Sequence, residues 1–503
     1  MSTPEPSPPR LSLGTLSSLG SSLRPAIDPR AVAVGIVHLG LGAFHRAHQA
    51  IFTEDAMLAT GELSWGICGA SERSSAAVDR LRPQDGLYTV AARDANDEAL
   101  RVVGALREQL FALGNPTELR QRLSDPTVHV ATVTVTEKGY RHDPASGHLN
   151  LEDPEVAADL AGRPPRTVVF QLVAGLRARF AEGAGPIAIV SCDNLPGNGV
   201  LLHRLVSEAA EHLPPPEATA LLDWMAANVT FPSTLVDRIV PATTAADVAH
   251  ISARLGLHDA APVVTEPFSQ WVIEDAFRAS RPAWDTAGAL ITRDVVPYET
   301  MKLRLLNASH SAIAYLGGLA GCATVAEALD NSDLADYAKR LMDEDASPTL
   351  RVPDGFDLAA YKASILARLA NPALTHSLAQ IAADGSQKLP VRLLATARDA
   401  LAGGSDFRWV ALAVAGWMRY MTVRQADDAS PIVPDDPLAG AVSHAAAGAD
   451  NPRSLVARLL GIEEIFGPDL RESAAFSQML VGDVDHLAAD GALRTIAMAL
   501  HGR

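Results

Sequence analysis

The stretch that decides the fold is VAVGIVHL (residues 32–39), followed directly by GLGAFHR (residues 40–46). The first part is a short apolar run that is typical of a buried parallel strand. The second part carries a G-x-G turn, and a helical pattern follows from Ala47 to Leu58. In a strand–turn–helix unit such glycines let the backbone approach a pyrophosphate, and the helix N-terminus offers free N–H groups. The stretch therefore predicts a Rossmann-type dinucleotide-binding domain.

The glycine fingerprint is incomplete, because its third glycine position holds His45. A side chain at this point has to displace the helix or make a contact of its own. The candidate cofactor contacts are Gly40, Gly42, Phe44, His45 and Arg46, with Arg46 as a charge for the phosphates. Glycines also form ordinary turns, so the prediction depends on the strand before them and the helix after them.

A second strand is predicted from Trp65 to Ala70, and Glu72 follows it. A carboxylate near the end of this strand binds the adenosine ribose and favours NAD. Arg73 stands next to Glu72 and could hold a 2′-phosphate instead. The sequence favours NAD as the cofactor and leaves NADP open.

Two further strands are predicted, at residues 128–136 and 187–192. The first ends at Glu137, and the second ends at Asp193 and Asn194. Ligands of open α/β sheets bind at these strand ends, so Glu137 and Asn194 are candidate site residues. On local evidence alone, Asp193 and Asn194 are explained by an ordinary turn, because Pro and Gly follow them.

Beyond about residue 295 helical patterns dominate, and they lie near residues 302–320, 334–342, 358–369, 392–402, 408–423 and 453–465. The predicted fold class is α/β: a Rossmann-type domain followed by a mainly α-helical domain. The predicted divisions are an N-terminal arm (1–30), the nucleotide-binding domain (31–294) and a helical substrate and catalytic domain (295–503).

The first helix of this second part, residues 301–317, carries Lys302, Asn307 and His310 among apolar residues at helical spacing. In a regular α-helix these three lie within an arc of about 140°, and Lys302 and His310 lie about 12 Å apart along the axis. They could present a base, an amide donor and an imidazole to one small molecule. Lysine is rare in this chain (138, 302, 339, 362 and 388), and unlike Arg it can act as a base. The alternative is that these are hydrogen-bonded polar groups of a core helix.

The length, charge and composition of the chain argue against several classes of function. A chain of 503 residues with net charge −17 is poorly suited to general binding of nucleic acid or of membrane surfaces. Cys68, Cys192 and Cys322 are scattered and indicate neither a disulfide framework nor a zinc site. The N-terminal residues lack the apolar core of a signal peptide, and the apolar run 409–418 is too short to span a bilayer. We expect a soluble cytoplasmic protein, a monomer or a weak homo-oligomer, with a small molecule as its partner.

Several spaced motifs together resemble the mannitol dehydrogenase family, the polyol-specific long-chain dehydrogenases. They are GLGAFHRAHQ (40–49), SCDNLP (191–196), VDRI (236–239), EPF (266–268) and the pattern from Lys302 through Asn307 to His310. The similarity runs from about residue 31 into the C-terminal region. It implies a metal-independent hydride transfer with NAD.

Within this family, residues 384–390 (DGSQKLP) with Arg392, and residues 412–420, resemble the fructuronate reductase (D-mannonate oxidoreductase) branch. The mannitol 2-dehydrogenases carry an Arg where this chain has Gln380. The resemblance therefore implies oxidation of D-mannonate to D-fructuronate. Mannitol, altronate and arabinitol stay open as substrates.

The resemblance also implies roles for individual residues. Lys302 is the general base, Asn194 and Asn307 donate to the developing alkoxide, and His310 orients the substrate or Lys302. Asp237 accepts from a distal hydroxyl, although it could instead form a buried pair with Arg238. Lys388 and Arg392 could pair with the substrate carboxylate. A free Lys has a pKa of about 10.4, so we expect burial and the positive nicotinamide to lower that of Lys302.

The sequence also bears on two alternatives, a zinc site and a regulator without catalytic activity. His38, His45 and His48 lie close in sequence, but a strand, a turn and a helix do not give ligand spacing for zinc, so no metal is predicted. The chain could also be an NADH-binding regulator without chemistry, and the intact set of Lys302, Asn307, His310 and Asn194 argues against that.

Overall fold

The computed structural model describes residues 8–143, 146–373 and 376–502. The contacts between residues divide the chain into an N-terminal unit, Met1–Val296, and a C-terminal unit, Pro297–Arg503. None of the helices in the described ranges is long and apolar enough to cross a membrane.

The N-terminal unit is an α/β structure. Its strands are β1 (Val34–Leu39), β2 (Gly66–Ser71), β3 (Tyr88–Arg93), β4 (Glu98–Val103), β5 (Leu106–Phe111), β6 (Val130–Val133), β7 (Ile187–Ser191), β8 (Val229–Thr230), β9 (Thr234–Asp237), β10 (Val263–Thr265), β11 (Gln270–Glu274) and β12 (Leu290–Thr292). Its helices are α1 (Ala43–Ala47), α2 (Gln49–Thr60), α3 (Ala76–Leu81), α4 (Pro116–Ser124), α5 (Pro154–Leu160), α6 (Val168–Ala181), α7 (Asn198–Glu211), α8 (Pro215–Asn228) and α9 (Ala245–Leu255).

The central sheet has six strands in the order β5-β2-β1-β6-β7-β8, and every pairing in it is parallel. Strand β1 is buried on both faces: Val37 and Leu39 pack into one apolar cluster, and Ile36 packs into the other. This burial explains its continuous apolar sequence. The order reverses beside β1, which places the ends of β1 and β6 at the point where such sheets bind ligands. The predicted fold class is confirmed.

Two small sheets complete this unit, in the orders β10-β3-β4 and β12-β11-β9. Each combines one parallel and one antiparallel pairing. Their strands are short, and the sequence patterns did not predict them.

The helix after the glycine turn starts earlier than predicted and is broken. It begins at Ala43 rather than Ala47, and His48 interrupts it with φ −126° and ψ −88° before α2 begins. The His48 ring stacks on Phe44 at 5.0 Å between centroids, and its Nε2 hydrogen-bonds the Gln270 carbonyl at 2.9 Å. These contacts are distant in sequence, so local pattern could not reveal the break.

The strand predicted at 128–136 is shorter, because β6 ends at Val133. The amides of Val135 and Thr136 donate to the Asp193 carboxylate at 3.1 and 2.9 Å instead of continuing the ladder. Thr136 has φ +69°, which turns the chain away from the sheet.

The described residues of the C-terminal unit form helices joined by loops, and the first helix begins at Val296, the last residue of the N-terminal unit. Its α-helices are α10 (Val296–Met301), α11 (Ala308–Leu319), α12 (Val325–Leu329), α13 (Ser332–Arg340), α14 (Leu358–Leu369), α15 (Leu378–Ala382), α16 (Gly385–Leu389), α17 (Ala395–Gly403), α18 (Arg408–Thr422), α19 (Ala439–Ala446), α20 (Pro452–Leu460), α21 (Glu463–Glu472), α22 (Ala474–Ala489) and α23 (Ala492–His501). Helices α11 and α18 pack together, and α18 also packs against α22.

Three segments of this unit are π-helical: Lys302–Asn307, Leu341–Ala346 and Pro390–Leu394. The first joins α10 to α11 and contacts both of the others. The prediction of a regular α-helix across residues 302–320 is therefore wrong in its first turns. Single π turns within α-helices are rare and occur often at functional sites.

Candidate active site

The glycine turn of the N-terminal unit has two glycines with different reasons for being glycine. Gly40 has φ +106°, and a Cβ there would lie 1.9 Å from the Thr134 carbonyl oxygen. Gly42 has ordinary backbone angles, and the nearest atom to its Cβ would be the Gly40 carbonyl oxygen at 3.6 Å. The protein itself therefore requires glycine at 40, whereas at 42 a Cβ would make only an ordinary van der Waals contact.

His45, in the third glycine position, makes a contact of its own. Its ring stacks on that of His38 with 3.4 Å between centroids and 11° between planes. Burial lowers the pKa of His38 to about 3, and burial together with the charge of His38 holds the pKa of His45 well below its usual range. Both imidazoles are therefore neutral, and they fill the space between β1 and α1.

Arg46 is held by contacts within the protein. Its guanidinium is buried, and it donates to the carbonyls of Ala261 at 2.5 Å and Gly42 at 3.1 Å. It also lies over the Tyr88 ring. These contacts give Arg46 a packing role in α1, and its contact with the phosphates stays a prediction. Phe44, its neighbour, is partly buried against the same apolar cluster.

A cavity of about 440 Å³ lies at the carboxyl ends of β1, β2 and β6. Gly40, Gly42, Glu72 and Arg73 line it, together with Thr167 at the N-terminus of α6. The Glu72 Oε1 atom is buried and has no hydrogen-bond partner among the described residues. A nicotinamide dinucleotide fits this donor set: the open side of Gly42 admits a pyrophosphate, and Glu72 offers an acceptor to ribose hydroxyls.

The ionisation of Glu72 is perturbed. Burial raises the pKa of its carboxyl group to about 7, and a hydrogen bond from Gln171 opposes that rise. Arg73 beside it is exposed. The Glu72 carboxyl group is therefore only partly ionised near neutrality. A ligand that donates hydrogen bonds to it favours its ionised form.

The ends of β6 and β7 are fastened by Asp193. This buried carboxylate accepts the amides after β6 and the Tyr140 hydroxyl at 2.8 Å. The Asn198 amide adds bonds to the carbonyls of Asp193 and Thr234. Asp193 and Asn198 are therefore structural, and the turn explanation holds for Asp193. Asn194 is exposed at the same edge, and Glu137 is exposed at the start of a short 3₁₀ helix.

Asp237 ends β9 and is buried. Arg238 donates to the carbonyls of Glu266, at 2.9 and 3.1 Å, and of Ala47. The Arg238 guanidinium therefore donates to main-chain oxygens. This differs from the Asp237–Arg238 ion pair that the sequence offered as an alternative.

In the C-terminal unit, the π segment changes the geometry of the catalytic candidates. A π turn holds one extra residue, so the helix beyond it is rotated back by about 100°. Lys302, Asn307 and His310 then fall within an arc of about 60° instead of about 140°. The π segment thus brings the three side chains closer to one face than a regular helix does.

Lys302 and His310 are both buried, with 6% and 8% of their surface exposed. The His310 ring meets that of His376 edge-on at 5.1 Å, and its Nε2 has no hydrogen-bond partner in the described ranges. Burial is the main reason why the pKa of His310 lies well below its usual range, and His376, Arg392, Arg368 and Lys302 lower it further. His310 is therefore neutral.

Arg392 lies on the third π segment, next to the candidate helix. Its Nη1 atom donates to the Ser311 hydroxyl at 3.1 Å and to the Asn307 carbonyl at 3.5 Å. Lys388, one turn earlier, donates to the carbonyls of Ile381 and Ala383. Of the two cations proposed for a carboxylate, the structure brings Arg392 to the helix of Asn307 and His310.

Sequence reasoning missed Arg368 and His376. Arg368 is buried in the last turn of α14, and His376 precedes α15. Nothing in the local sequence marks them, because they are near His310 only through the packing of separate helices.

Two family models together match most of the chain. Residues 34–286 match the family model "Mannitol dehydrogenase Rossmann domain", and residues 294–488 match "Mannitol dehydrogenase C-terminal domain". The chain belongs to the mannitol dehydrogenase family. It is therefore an oxidoreductase that acts on CH–OH groups, and the resemblance predicted from its motifs is confirmed.

Individual relatives span nearly the whole chain. An uncharacterized oxidoreductase, YdfI, of Escherichia coli (strain K12) is 42% identical, covering 94% of this chain and 96% of the relative. The D-mannonate oxidoreductase of the same organism is 40% identical, covering 94% and 97%. The structure of Pseudomonas fluorescens mannitol 2-dehydrogenase in a ternary complex with NAD and D-mannitol is 34% identical, with a TM-score of 0.85, and the match covers 98% of this chain and 100% of that one.

Proposed function

We propose that this protein is an NAD-dependent oxidoreductase that converts D-mannonate and NAD⁺ to D-fructuronate, NADH and a proton, and catalyses the reverse reaction. The observation that supports the anionic substrate most directly is the pair of guanidinium groups near His310: Arg392 donates to the Ser311 hydroxyl at 3.1 Å, and both Arg368 and Arg392 lower the pKa of His310. The whole chain carries a net charge of −17, so a cluster of this sign is a local feature with a local purpose.

The N-terminal unit supplies the cofactor site. Gly42 leaves room for the pyrophosphate, Glu72 accepts from the adenosine ribose, and Glu137 lies at the next strand end. Two observations support NAD as the cofactor: the residues that line the cavity can accommodate it, and the related Pseudomonas fluorescens mannitol 2-dehydrogenase has been solved in complex with NAD. When bound, NAD⁺ supplies the hydride acceptor.

The C-terminal unit supplies the proton chemistry. Lys302, as the neutral amine, takes the hydroxyl proton of the carbon that is oxidised. The Asn307 amide donates to the oxygen on which negative charge develops, and an aligned donor of this kind is worth about 10²–10³ in kcat. His310 is neutral and can therefore accept a hydrogen bond from the substrate or from Lys302, which orients either one.

The substrate carboxylate pairs with Arg392. A guanidinium is suited to this because it presents parallel donors to a carboxylate. Lys388, which donates to the carbonyls of Ile381 and Ala383, is the second candidate for the carboxylate on the ground of the family resemblance. Asn194 and Asp237 keep the roles that the family resemblance gives them, an alkoxide donor and an acceptor for a distal hydroxyl.

Mannitol 2-dehydrogenase activity is the second candidate, supported by the 34% identity to the mannitol enzyme. The two candidates differ in whether the substrate carries a charge. A spectrophotometric screen of D-mannonate, D-altronate, D-mannitol and D-arabinitol with NAD⁺ and NADP⁺ separates them. We expect D-mannonate with NAD⁺ to give the highest kcat/KM, and a higher value for mannitol would overturn the substrate assignment.

A further inference from the structure

His376 lies directly before α15, beside the first turns of α11. Its ring meets the His310 ring with 5.1 Å between centroids and 79° between planes, so an edge of one imidazole faces the flat side of the other. The side chain is half-buried, and within the described ranges its ring nitrogens form no hydrogen bond. Its polar atoms are therefore available to a ligand that reaches His310.

The main chain fixes His376 in this place. The Val325 amide donates to the His376 carbonyl at 3.1 Å, and the Leu378 amide donates to the Ala323 carbonyl at 3.0 Å. Helix α15, which begins at Leu378, also packs against α11. The imidazole is thus held beside His310 by its own backbone, and a ligand that binds it has little further ordering to impose.

Arg392 approaches α11 from another side. Its Nη1 atom donates to the Ser311 hydroxyl at 3.1 Å and lies 3.5 Å from the Asn307 carbonyl. At about 100° per residue, Ser311 lies about 40° from Asn307 in one direction around the helix, and His310 lies about 60° from it in the other. Arg392 and His376 therefore flank the Asn307 position on opposite sides.

The proposed substrate has two different ends on either side of its reacting carbon. In D-mannonate the carbon that is oxidised lies next to the terminal hydroxymethyl group, and the carboxylate stands at the other end of the chain. In the proposed function the Asn307 amide faces the oxygen of the oxidised carbon, and Arg392 pairs with the carboxylate. The hydroxymethyl group then falls on the side of His376.

The chemistry of the imidazole agrees with a hydroxyl partner. Burial lowers the pKa of His376 below its usual value, so the ring is neutral at neutral pH. A neutral imidazole carries one donor and one acceptor, and an alcohol likewise donates and accepts, whereas a carboxylate only accepts. The guanidinium of Arg392 offers only donors, which suits the carboxylate.

We propose that His376 is a specificity-determining residue of the active site: its ring hydrogen-bonds the terminal hydroxymethyl group next to the carbon that is oxidised. This inference rests on the proposed function, because it takes α11 as the helix that receives the substrate. D-Mannitol carries the same terminal group, so the contact serves D-mannonate and D-mannitol alike.

The test compares D-mannonate with 6-deoxy-D-mannonate, which has a methyl group in place of the hydroxymethyl group. The variant His376→Phe keeps an aromatic ring against His310 and removes both nitrogens. We measure kcat/KM with saturating NAD⁺. The wild type should prefer D-mannonate by about tenfold, the worth of one hydrogen bond, and His376→Phe should abolish most of that preference. His376→Gln, which keeps an N–H donor and a carbonyl acceptor, should restore part of it.

Two control variants separate this contact from other effects. Arg392→Met should lower kcat/KM for both mannonates by the same factor, because both carry the carboxylate. His444→Phe changes an exposed histidine of the same unit and should leave the preference in place. Calorimetry shows whether each variant is folded, and His376→Leu replaces His376→Phe under the same criterion where the latter is not.

The outcomes distinguish the inference from the proposed function. A wild type that oxidises neither D-mannonate nor D-mannitol overturns the proposed function and this inference with it. If the wild type oxidises D-mannonate and His376→Phe lowers kcat/KM for both mannonates equally, His376 has only a structural role and this inference alone is overturned. A loss on D-mannonate with none on D-mannitol would place the carboxylate at His376 and overturn it as well.

Discussion

Replacing Lys302 by methionine removes the proposed base and keeps the shape of its side chain. Lys302 is 6% exposed, so a residue of similar length fills its space without opening a cavity. A positioned general base is worth about 10²–10⁴ in rate, which is about 2.7–5.5 kcal/mol in the activation barrier. We expect kcat to fall by that factor, with NADH affinity nearly unchanged because the proposed cofactor contacts lie in the N-terminal unit.

The assay is NADH formation from D-mannonate, followed by absorbance, with NADH binding measured separately. Lys339→Met is the matched control, because Lys339 is an exposed lysine of the same unit whose partner is Asp343 at 3.1 Å. That variant should keep full activity. In Lys302→Ala, added methylamine should restore part of the lost rate by occupying the vacated space. Near-normal turnover in Lys302→Met would refute the assignment of the base.

Three further predictions concern the cofactor cavity of the N-terminal unit and Arg392 of the C-terminal unit. Glu72→Gln should weaken NADH binding while improving NADPH binding, since the charge that repels a 2′-phosphate is gone; an unchanged ratio of the two dissociation constants would contradict this. Arg392→Met should lower kcat/KM for D-mannonate by about 10–100-fold, the worth of one hydrogen bond to a charged group, and change mannitol turnover far less; equal losses on both substrates would count against a carboxylate contact. Gly42→Ala should keep its Tm and weaken NADH binding, whereas Gly40→Ala should lose several degrees of Tm, because its Cβ would lie 1.9 Å from a carbonyl oxygen; calorimetry and NADH titration check both.

The sequence predicted the features that depend on neighbours along the chain. The apolar run before Gly40 identifies a strand buried on both faces, and the glycine turn after it identifies the nucleotide-binding end of the sheet. His45 in a glycine position had to make its own contact, and it stacks on His38. The spaced motifs were enough to identify the family.

The sequence could not predict what depends on distant residues. Arg46 follows the glycines and resembles a phosphate ligand, but its guanidinium is taken up by the carbonyl of Ala261. The π segment at Lys302–Asn307 lies against two other π segments, near residues 341–346 and 390–394, and an apolar pattern does not reveal one extra residue in a turn.

The roles of Lys302, Asn194, Asn307, His310 and Asp237 stay predictions until they are tested in the enzyme. The geometry adds a physical reason to test them: the π segment narrows the arc of the three helix residues, and Arg392 donates to Ser311 on the same helix as His310. A purely structural helix has no need for two such features at the same place.

The central claim is that this oxidoreductase acts on a carboxylate-bearing sugar with NAD⁺. The most direct measurement is kcat/KM for D-mannonate and for D-mannitol, determined side by side with saturating NAD⁺ and the same enzyme preparation. The account predicts a higher value for D-mannonate, and it predicts that Arg392→Met shrinks that difference. A wild-type enzyme that oxidises D-mannitol faster than D-mannonate would contradict it.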